Sequence, residues 1–164
     1  MELWDAYYKD ESLAGFDLLS SEPIPDGLLH LVCDIIVRHI DGDYLLTQRA
    51  FTKHSFPGLF ELSAGGSAQK GESPYECAVR ELWEETGIVS DDLTEVYHII
   101  SPEKHTIYYG YLCVTDCEKD SIKLLEGETI DYIWLSEKEL LEFVNTDKYL
   151  TAYKDRTDIF LETL

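Results

Sequence analysis

The sequence predicts an α/β fold in which helices cover both faces of a mixed β-sheet. Short runs of aliphatic and β-branched residues alternate with turn signals along most of the chain, as expected for strands. Between these runs, residues 73–87 carry both the start and the stop signals of one long helix. Strands joined by hairpin and helical connections favour a mixed sheet within a layered sandwich.

The length of the chain fits one domain. Its 164 residues are enough to bury a core but few for two domains. We therefore expect a single domain over residues 1–164, with residues 1–27 as an N-terminal extension that packs on the core. With 45% hydrophobic and 28% charged residues, the composition is that of an ordinary globular protein.

The strands are predicted from apolar runs bounded by turn residues. Leu28–Val37 is predicted to be a buried strand, and Asp41-Gly42 a turn that pairs it as a hairpin with Tyr44–Gln48. Residues 64–71 are predicted to form a glycine-bearing loop. Further strands are predicted at residues 59–62, 95–100, 106–114 and 130–134.

The strongest helix signal lies in the middle of the chain. Ser73 as N-cap, Pro74 at the first position and Glu76 three residues after the cap form a capping box. Gly87 supplies the left-handed residue that ends the helix. A second helix is predicted from Ser136 to about residue 144, and a third in the C-terminal tail.

The charge balance restricts the partners. Thirteen basic and 33 acidic residues give a net charge of −20, which opposes binding to nucleic-acid polymers and to anionic membranes. A small anionic ligand would need divalent cations or a local cluster of basic side chains. The start of the chain lacks a secretory pattern and no run is apolar enough for a membrane span, so we expect a cytoplasmic protein. A homodimer stays open.

The four cysteines are expected to be reduced thiols. They are widely scattered, and only Cys113 and Cys117 are close in sequence. Their C-x3-C spacing has no second half that would complete a zinc site.

Three carboxylates share one face of the predicted helix. Glu81, Glu84 and Glu85 fall within roughly 100° of arc at 100° per residue. Arg80 cannot neutralise all three, and clustered carboxylate oxygens are the ligands that Mg²⁺ or Mn²⁺ prefers. Taken alone, the pattern is more often that of a solvated, salt-bridged helix face than of a metal site.

The residues upstream make the pattern specific. Gly66, Glu72 and the run Arg80-Glu81-Leu82-Trp83-Glu84-Glu85-Thr86-Gly87-Ile88 match all nine specified positions of the Nudix box, which here spans residues 66–88. Random residue frequencies give such a match on the order of once in a billion windows. The chain therefore resembles the Nudix hydrolases.

This resemblance implies a Nudix α/β/α sandwich with a loop-helix-loop catalytic motif and a divalent-cation cofactor. Mg²⁺, or Mn²⁺, would polarise a phosphoryl group and activate the attacking water. The residues matching its metal ligands are Glu81, Glu84 and Glu85, which would thereby be catalytic, and those supporting the box structurally are Gly66, Glu72, Arg80 and Gly87. Gly66 is expected to allow turning and close approach of the backbone.

Outside the box, Glu128 lies six residues before Trp134, where many family members carry a further acidic residue. It is a candidate metal ligand or general base, and the alternative is a solvated loop carboxylate.

A second motif resembles the isopentenyl-diphosphate-isomerase-like branch of the family. It is Gln48-Arg49-x3-Lys53-x3-Pro57-Gly58, together with His30. The resemblance implies that Arg49 and Lys53 bind a substrate diphosphate. The positions of that branch's catalytic cysteine and metal-binding histidine are Gly65 and Ser67 here, which argues against isomerisation.

The sequence thus predicts a Mg²⁺-dependent hydrolase that cleaves a phosphoanhydride bond in a small diphosphate, with nucleoside diphosphate derivatives as the leading class. Three alternatives stay open: an isopentenyl-diphosphate isomerase, an isoprenoid-diphosphate hydrolase and a non-catalytic nucleotide sensor. Candidate aromatic residues for stacking on a base are Phe56, Phe60 and Tyr109.

Overall fold

The computed structural model describes all 164 residues as a mixed α/β fold, which confirms the predicted fold class. The strands are β1 Leu3–Tyr7, β2 Leu13–Leu19, β3 His30–His39, β4 Tyr44–Arg49, β5 Phe60–Leu62, β6 Ala64–Ser67, β7 Leu93–Ser101, β8 Thr106–Thr115 and β9 Thr129–Leu135. The α-helices are α1 Pro74–Thr86, α2 Glu137–Phe143 and α3 Lys154–Leu161. None of them is both long and apolar enough to cross a membrane.

Strands β3 to β9 form one mixed sheet. β3 and β8 run parallel and pair from His30↔Thr106 to His39↔Thr115. The other pairings in this sheet are antiparallel, with β7 on β8, β6 on β3, and both β5 and β9 on β4. The expectation of a mixed sheet is therefore confirmed.

The predicted hairpin of the first two core strands is wrong in its extent. β3 and β4 pair only at Arg38↔Tyr44, next to the turn that joins them. Beyond that point β3 pairs with β6 and β8, and β4 pairs with β5 and β9. Competing tertiary pairings separate the two strands, and sequence proximity does not reveal these.

The segment predicted as a loop from residue 64 to 71 begins as a strand. Ala64–Ser67 forms β6 and pairs with Val32–Ile35 of β3. Glycine has little strand propensity, so this strand is stabilised by backbone pairing with β3 rather than by its side chains. The strand brings the backbone of Gly65 and Gly66 next to α1.

Helices cover both faces of the sheet. Consecutive residues of β3 point to opposite faces, so Ile35 packs in the cluster that contains Leu82 of α1. Ile36 packs in the cluster that contains Leu140 of α2 and Phe160 of α3. This arrangement is the predicted α/β/α sandwich.

Helix α1 has the predicted ends. The N–H of Glu76 donates to Ser73 Oγ and the Glu76 carboxylate accepts from the N–H of Ser73, which completes the capping box. Gly87 adopts φ 77°, and its N–H donates to the carbonyl of Trp83. A defined start and end fix which residues of the helix face the sheet.

Residues 3–19 form a two-stranded hairpin that the sequence did not predict. β1 and β2 are antiparallel, and Ala6, Leu18 and Leu28 form a small cluster beneath them. A bridge from Tyr7 to Leu29 joins the hairpin to the start of the main sheet. The N–H of Gly71 also donates to Asp5 at 2.7 Å, so the hairpin contacts the segment before α1.

Candidate active site

A cleft of about 530 Å³ opens beside β6 and α1, and its walls carry an excess of negative charge. Seven carboxylates and three basic side chains line it. They are Glu2, Asp34, Glu61, Glu81, Glu84, Glu85 and Glu128, with Arg49, Lys53 and Arg156. The predicted glutamates, Glu128 and the two predicted basic residues therefore share one cavity.

Glu81 is the buried member of the helical trio, with only 8% of its surface exposed. Arg80 donates to it at 2.6 Å and to Glu84 at 3.2 Å. Burial raises the pKa of Glu81, and the attraction of Arg80 partly offsets that rise. The face that resembled a solvated helix surface is thus directed into the protein.

Gly66 lies directly against the Glu81 carboxyl group. A Cβ at residue 66 would come within 2.5 Å of Glu81 Cδ and Oε1. Gly66 is not among the residues with positive φ, so it is not needed for turning as expected. Its lack of a side chain is what gives Glu81 room.

Glu85 is held by the backbone of β6. Its Oε2 accepts a hydrogen bond from the N–H of Gly65 at 2.9 Å. Burial raises the pKa of Glu85 well above its usual value, and the negative charges of Glu61, Glu81 and Glu128 raise it further. These carboxylates are therefore close enough to repel one another.

Arg80 links the start of the loop-helix motif to its acidic face. It donates to both carboxylate oxygens of Glu72, at 2.6 and 2.9 Å, and to the carbonyl of Ser67 at 3.0 Å. Burial alone would raise the pKa of Glu72, but the hydrogen bonds from Arg80 lower it. These contacts join the loop to the helix, and the supporting roles of Glu72 and Arg80 stay a prediction.

The two predicted substrate-binding residues each pair with a glutamate. Arg49 Nη1 lies 3.2 Å from Glu61 Oε1, and its other nitrogens donate to the carbonyl of Ser55. Lys53 forms an ion pair with Glu128. Both basic side chains thus lie beside carboxylates of the cleft.

Glu61 was missed by the sequence analysis. It lies in β5 between Phe60 and Leu62, and burial raises its pKa although Arg49 lowers it. A carboxylate inside a short apolar strand was the available signal, because such a charge is rarely buried without a partner. Its partner Arg49 was recognised and Glu61 was not.

Three further cleft residues were also missed, namely Asp34, Tyr97 and Arg156. Arg156 donates to both carboxylate oxygens of Asp34, at 2.5 and 3.2 Å, and the Tyr97 hydroxyl donates to the same carboxylate at 2.7 Å. They are separated by 63 and 122 positions in sequence from Asp34. No local motif connects residues so far apart.

The proposed base-stacking aromatics do not line the cleft. Phe60 packs edge-on against Phe143, and Tyr109 stacks on His98. Phe56 contacts the edge of Tyr153. These three side chains therefore pack against protein neighbours, the alternative that the sequence favours over base stacking.

The chemistry of the acidic end fits a divalent cation. Its donors are carboxylate oxygens. Burial raises the pKa values of Glu81 and Glu85, and repulsion from neighbouring carboxylates raises them further. In the present side-chain arrangement the glutamates bind protein donors, and no three acidic, histidine or cysteine side chains converge in ligand geometry. Cation binding by these residues would require their carboxylates to turn from those donors.

Comparison with known proteins places the chain in a family. The NUDIX domain family model matches residues 28–154. An uncharacterised Nudix hydrolase of Listeria monocytogenes is 31% identical over 154 residues, covering 93% of this chain and 90% of that protein. An isopentenyl-diphosphate Delta-isomerase of Corynebacterium diphtheriae is 28% identical over 130 residues, covering 74% of this chain and 71% of the isomerase.

A solved structure also shares the fold. A protein of Deinococcus radiodurans superposes with a TM-score of 0.73 at 21% identity, covering 90% of this chain and 91% of that one. The family match includes the complete box, residues 66–88, and the strands that build the cleft. The chain therefore belongs to the Nudix hydrolase family.

Proposed function

We propose that the protein is a Mg²⁺-dependent hydrolase of a phosphoanhydride bond in a small diphosphate metabolite, with nucleoside diphosphate derivatives as the leading class. One observation carries the proposal. Glu81, Glu84 and Glu85 line the same cleft as Arg49 and Lys53, so an acidic cluster and two basic groups face one cavity. Such a combination suits a diphosphate that binds together with a divalent cation.

The box residues would hold the cation through Glu81, Glu84 and Glu85. Bound Mg²⁺ would supply Lewis-acid polarisation of the phosphoryl group. The chain itself supplies rigidity, since α1 is capped at both ends and Arg80 restrains Glu81 and Glu84. The N–H of Gly65 orients Glu85.

Arg49 and Lys53 would bind the diphosphate oxygens. Each is paired with a carboxylate, Arg49 with Glu61 and Lys53 with Glu128. Substrate binding would exchange these pairs for contacts to phosphate. Glu128, released from Lys53, would then take the proton of the attacking water as general base.

Isomerisation is less well supported than hydrolysis. The position of the isomerase cysteine is Gly65, whose Cβ would come within 2.6 Å of the carbonyl oxygen of Cys33. A cysteine there would need a backbone shift. Ser67 stands at the position of the isomerases' metal-binding histidine and has no imidazole to bind a metal.

The direct test incubates the purified protein with Mg²⁺ or Mn²⁺ and a panel of dNTPs, nucleotide sugars, dinucleoside polyphosphates and isoprenoid diphosphates, and resolves the products. We expect cleavage between two phosphorus atoms of at least one nucleoside diphosphate derivative. Failure to turn over any substrate with either metal would refute the proposal. Tight binding without turnover would favour a sensor, and conversion of isopentenyl diphosphate to its isomer without phosphate release would favour an isomerase.

A further inference from the structure

The part of the cleft next to the glutamates is built around a buried arginine. Arg156 of α3 is 4% exposed and lines the cleft together with Asp34, Tyr108 and Tyr153. Asp34 is the register partner of Gly65, whose N–H binds Glu85, so this group adjoins the acidic cluster. None of these four residues has a role in the proposed hydrolysis.

Four contacts fix the orientation of the Arg156 guanidinium. Nε and Nη2 donate to Asp34, and the plane lies over the rings of Tyr108 at 4.4 Å and Tyr153 at 3.9 Å. Asp34 is itself fixed by the Tyr97 hydroxyl. A guanidinium restrained in this way loses little conformational entropy when it binds a ligand.

One nitrogen of this guanidinium is free and accessible. Arg156 Nη1 forms no hydrogen bond with the protein. The side-chain atoms that are both fully buried and without a hydrogen-bond partner are Arg38 Nε and Thr129 Oγ1. Since Arg156 Nη1 has no partner and is not one of these two atoms, it is not fully buried. Nη1 is therefore reachable from the cleft that Arg156 lines.

The two tyrosines that hold the arginine also have hydroxyls with unused hydrogen-bonding capacity. The hydroxyls of Tyr108 and Tyr153 form no hydrogen bond with the protein. Both residues line the cleft, and neither hydroxyl is fully buried. The charges of Arg156 and Asp34 cancel as a pair. This surface therefore suits a neutral group with hydrogen-bond donors and acceptors better than it suits a second anion or a hydrocarbon.

We propose that Arg156, positioned by Asp34, forms with Tyr108 and Tyr153 a specificity subsite for the group that the substrate's diphosphate carries, and that this group is a neutral hydroxyl- or carbonyl-bearing moiety of a sugar or nucleoside. A prenyl chain placed here would cover free polar atoms without bonding them, which costs binding energy. The inference rests on the proposed diphosphate function. It selects sugar or nucleoside diphosphates over isoprenoid diphosphates as the substrate class.

Binding can test this subsite without turnover. We would measure dissociation constants by calorimetry with Ca²⁺ in place of Mg²⁺, using ADP-ribose, UDP-glucose and geranyl diphosphate as probes. We expect at least one of the two polar probes to bind about tenfold or more tightly than geranyl diphosphate. Geranyl diphosphate binding equally or more tightly, or wild-type protein binding neither polar probe, would overturn the inference.

Matched variants assign the selectivity to these residues. Arg156→Gln combined with Asp34→Asn removes both buried charges together and so avoids leaving one unpaired. We expect this double variant to bind the preferred polar probe about tenfold more weakly, with geranyl diphosphate within threefold of wild type. Arg38→Gln is the control because Arg38 lies outside the cleft. It should change the affinity for neither the polar probe nor geranyl diphosphate.

Tyr153→Phe gives a second, milder test because it keeps the ring and removes only the hydroxyl. We expect the affinity for the polar probe to fall about threefold and the affinity for geranyl diphosphate to stay unchanged. Unchanged polar selectivity in both the folded double variant and Tyr153→Phe would contradict the subsite. Absence of hydrolysis with every substrate would refute the proposed function instead and would leave these binding ratios measurable.

Discussion

At the residue scale, the three box glutamates have different surroundings although they share one helix face. Glu81 is buried against Gly66 and Arg80, and Glu84 is half-exposed beside Arg80. Glu85 accepts a hydrogen bond only from the N–H of Gly65, and burial raises its pKa, which three other carboxylates raise further. Glu85 is therefore the one member of the trio whose carboxylate has no basic side chain as a partner.

Glu85→Gln is expected to lower kcat/KM by about 100-fold or more, because a charged cation ligand is lost. The free energy of unfolding in EDTA should not fall, since the variant removes a charge that burial disfavours. A raised folded pKa means that the native state loses stability as pH rises from the ordinary glutamate pKa through the folded one, and this loss should be smaller in the variant. Activity within twofold of wild type would contradict the metal role.

Gly66→Ala is expected to displace the Glu81 carboxylate, since the new Cβ would lie 2.5 Å from it. We expect a destabilisation of about 1–3 kcal/mol from overpacking and a loss of activity of about 100-fold from misplacement. Gly15→Ala is the matched control. It meets no atom within 4 Å, so its positive φ should cost stability without changing the activity of the folded protein. If Gly66→Ala were as active as Gly15→Ala, this would contradict the steric argument.

At the element scale, side-chain hydrogen bonds join α1 to the loop that precedes it. The link is Arg80, which bonds Glu72 and Ser67 on the loop side and Glu81 on the helix side. Glu72 also accepts from the N–H of Gln69 and so closes its own turn. Loop and helix therefore act as one unit.

Glu72→Gln is expected to reduce the free energy of unfolding at pH 7 by about 1–2 kcal/mol through weakened bonds to Arg80. The pKa of Glu72 is lowered in the folded state, so its contribution is present above the unfolded pKa and is lost as pH falls through the folded value. Urea denaturation at a series of pH values from 7 to 3 measures this. The difference in the free energy of unfolding between Glu72→Gln and wild type should become smaller as the pH falls.

The matched control for this pair is Asp17→Asn, which breaks an exposed ion pair with Lys70. Exposed pairs contribute little to stability, so the free energy of unfolding of this variant should stay close to that of wild type at every pH. A pH-independent deficit in Glu72→Gln would indicate a packing defect instead of a lost ion pair.

At the scale of the whole molecule, the net charge of −20 is concentrated partly in the cleft, where seven carboxylates face three basic groups. Like charges in one cavity favour unfolding, and a bound divalent cation relieves this repulsion. If the protein acts as proposed, cation binding should therefore also stabilise the folded state.

Addition of Mg²⁺ is expected to raise the Tm by more than NaCl of equal ionic strength. A concentration of 100 times the Kd would add about 2.7 kcal/mol, or several degrees for a chain of this size. Glu85→Gln should lose most of this increment, whereas Glu142→Gln, an exposed carboxylate of α2, should keep it. Equal shifts with Mg²⁺ and NaCl in wild type would show that only general screening is at work.

The local features of this protein follow from sequence alone. The ends of α1, the face shared by Glu81, Glu84 and Glu85, and most strand positions depend on neighbours within a few residues. Capping, helical period and apolar runs are short-range properties, so they can be recognised without knowing the fold. The complete box likewise fixed the family.

The rest depends on contacts between distant segments. The pairing of β6 with β3, the burial of Glu61 beside Arg49 and the bond from Arg156 to Asp34 join residues that no local pattern relates. Such contacts form only when sheet register and helix packing bring separate elements together. For this reason the box residues proposed to act on the diphosphate could be recognised in the sequence. The residues of the proposed subsite come together only through the packing of α3 against the sheet.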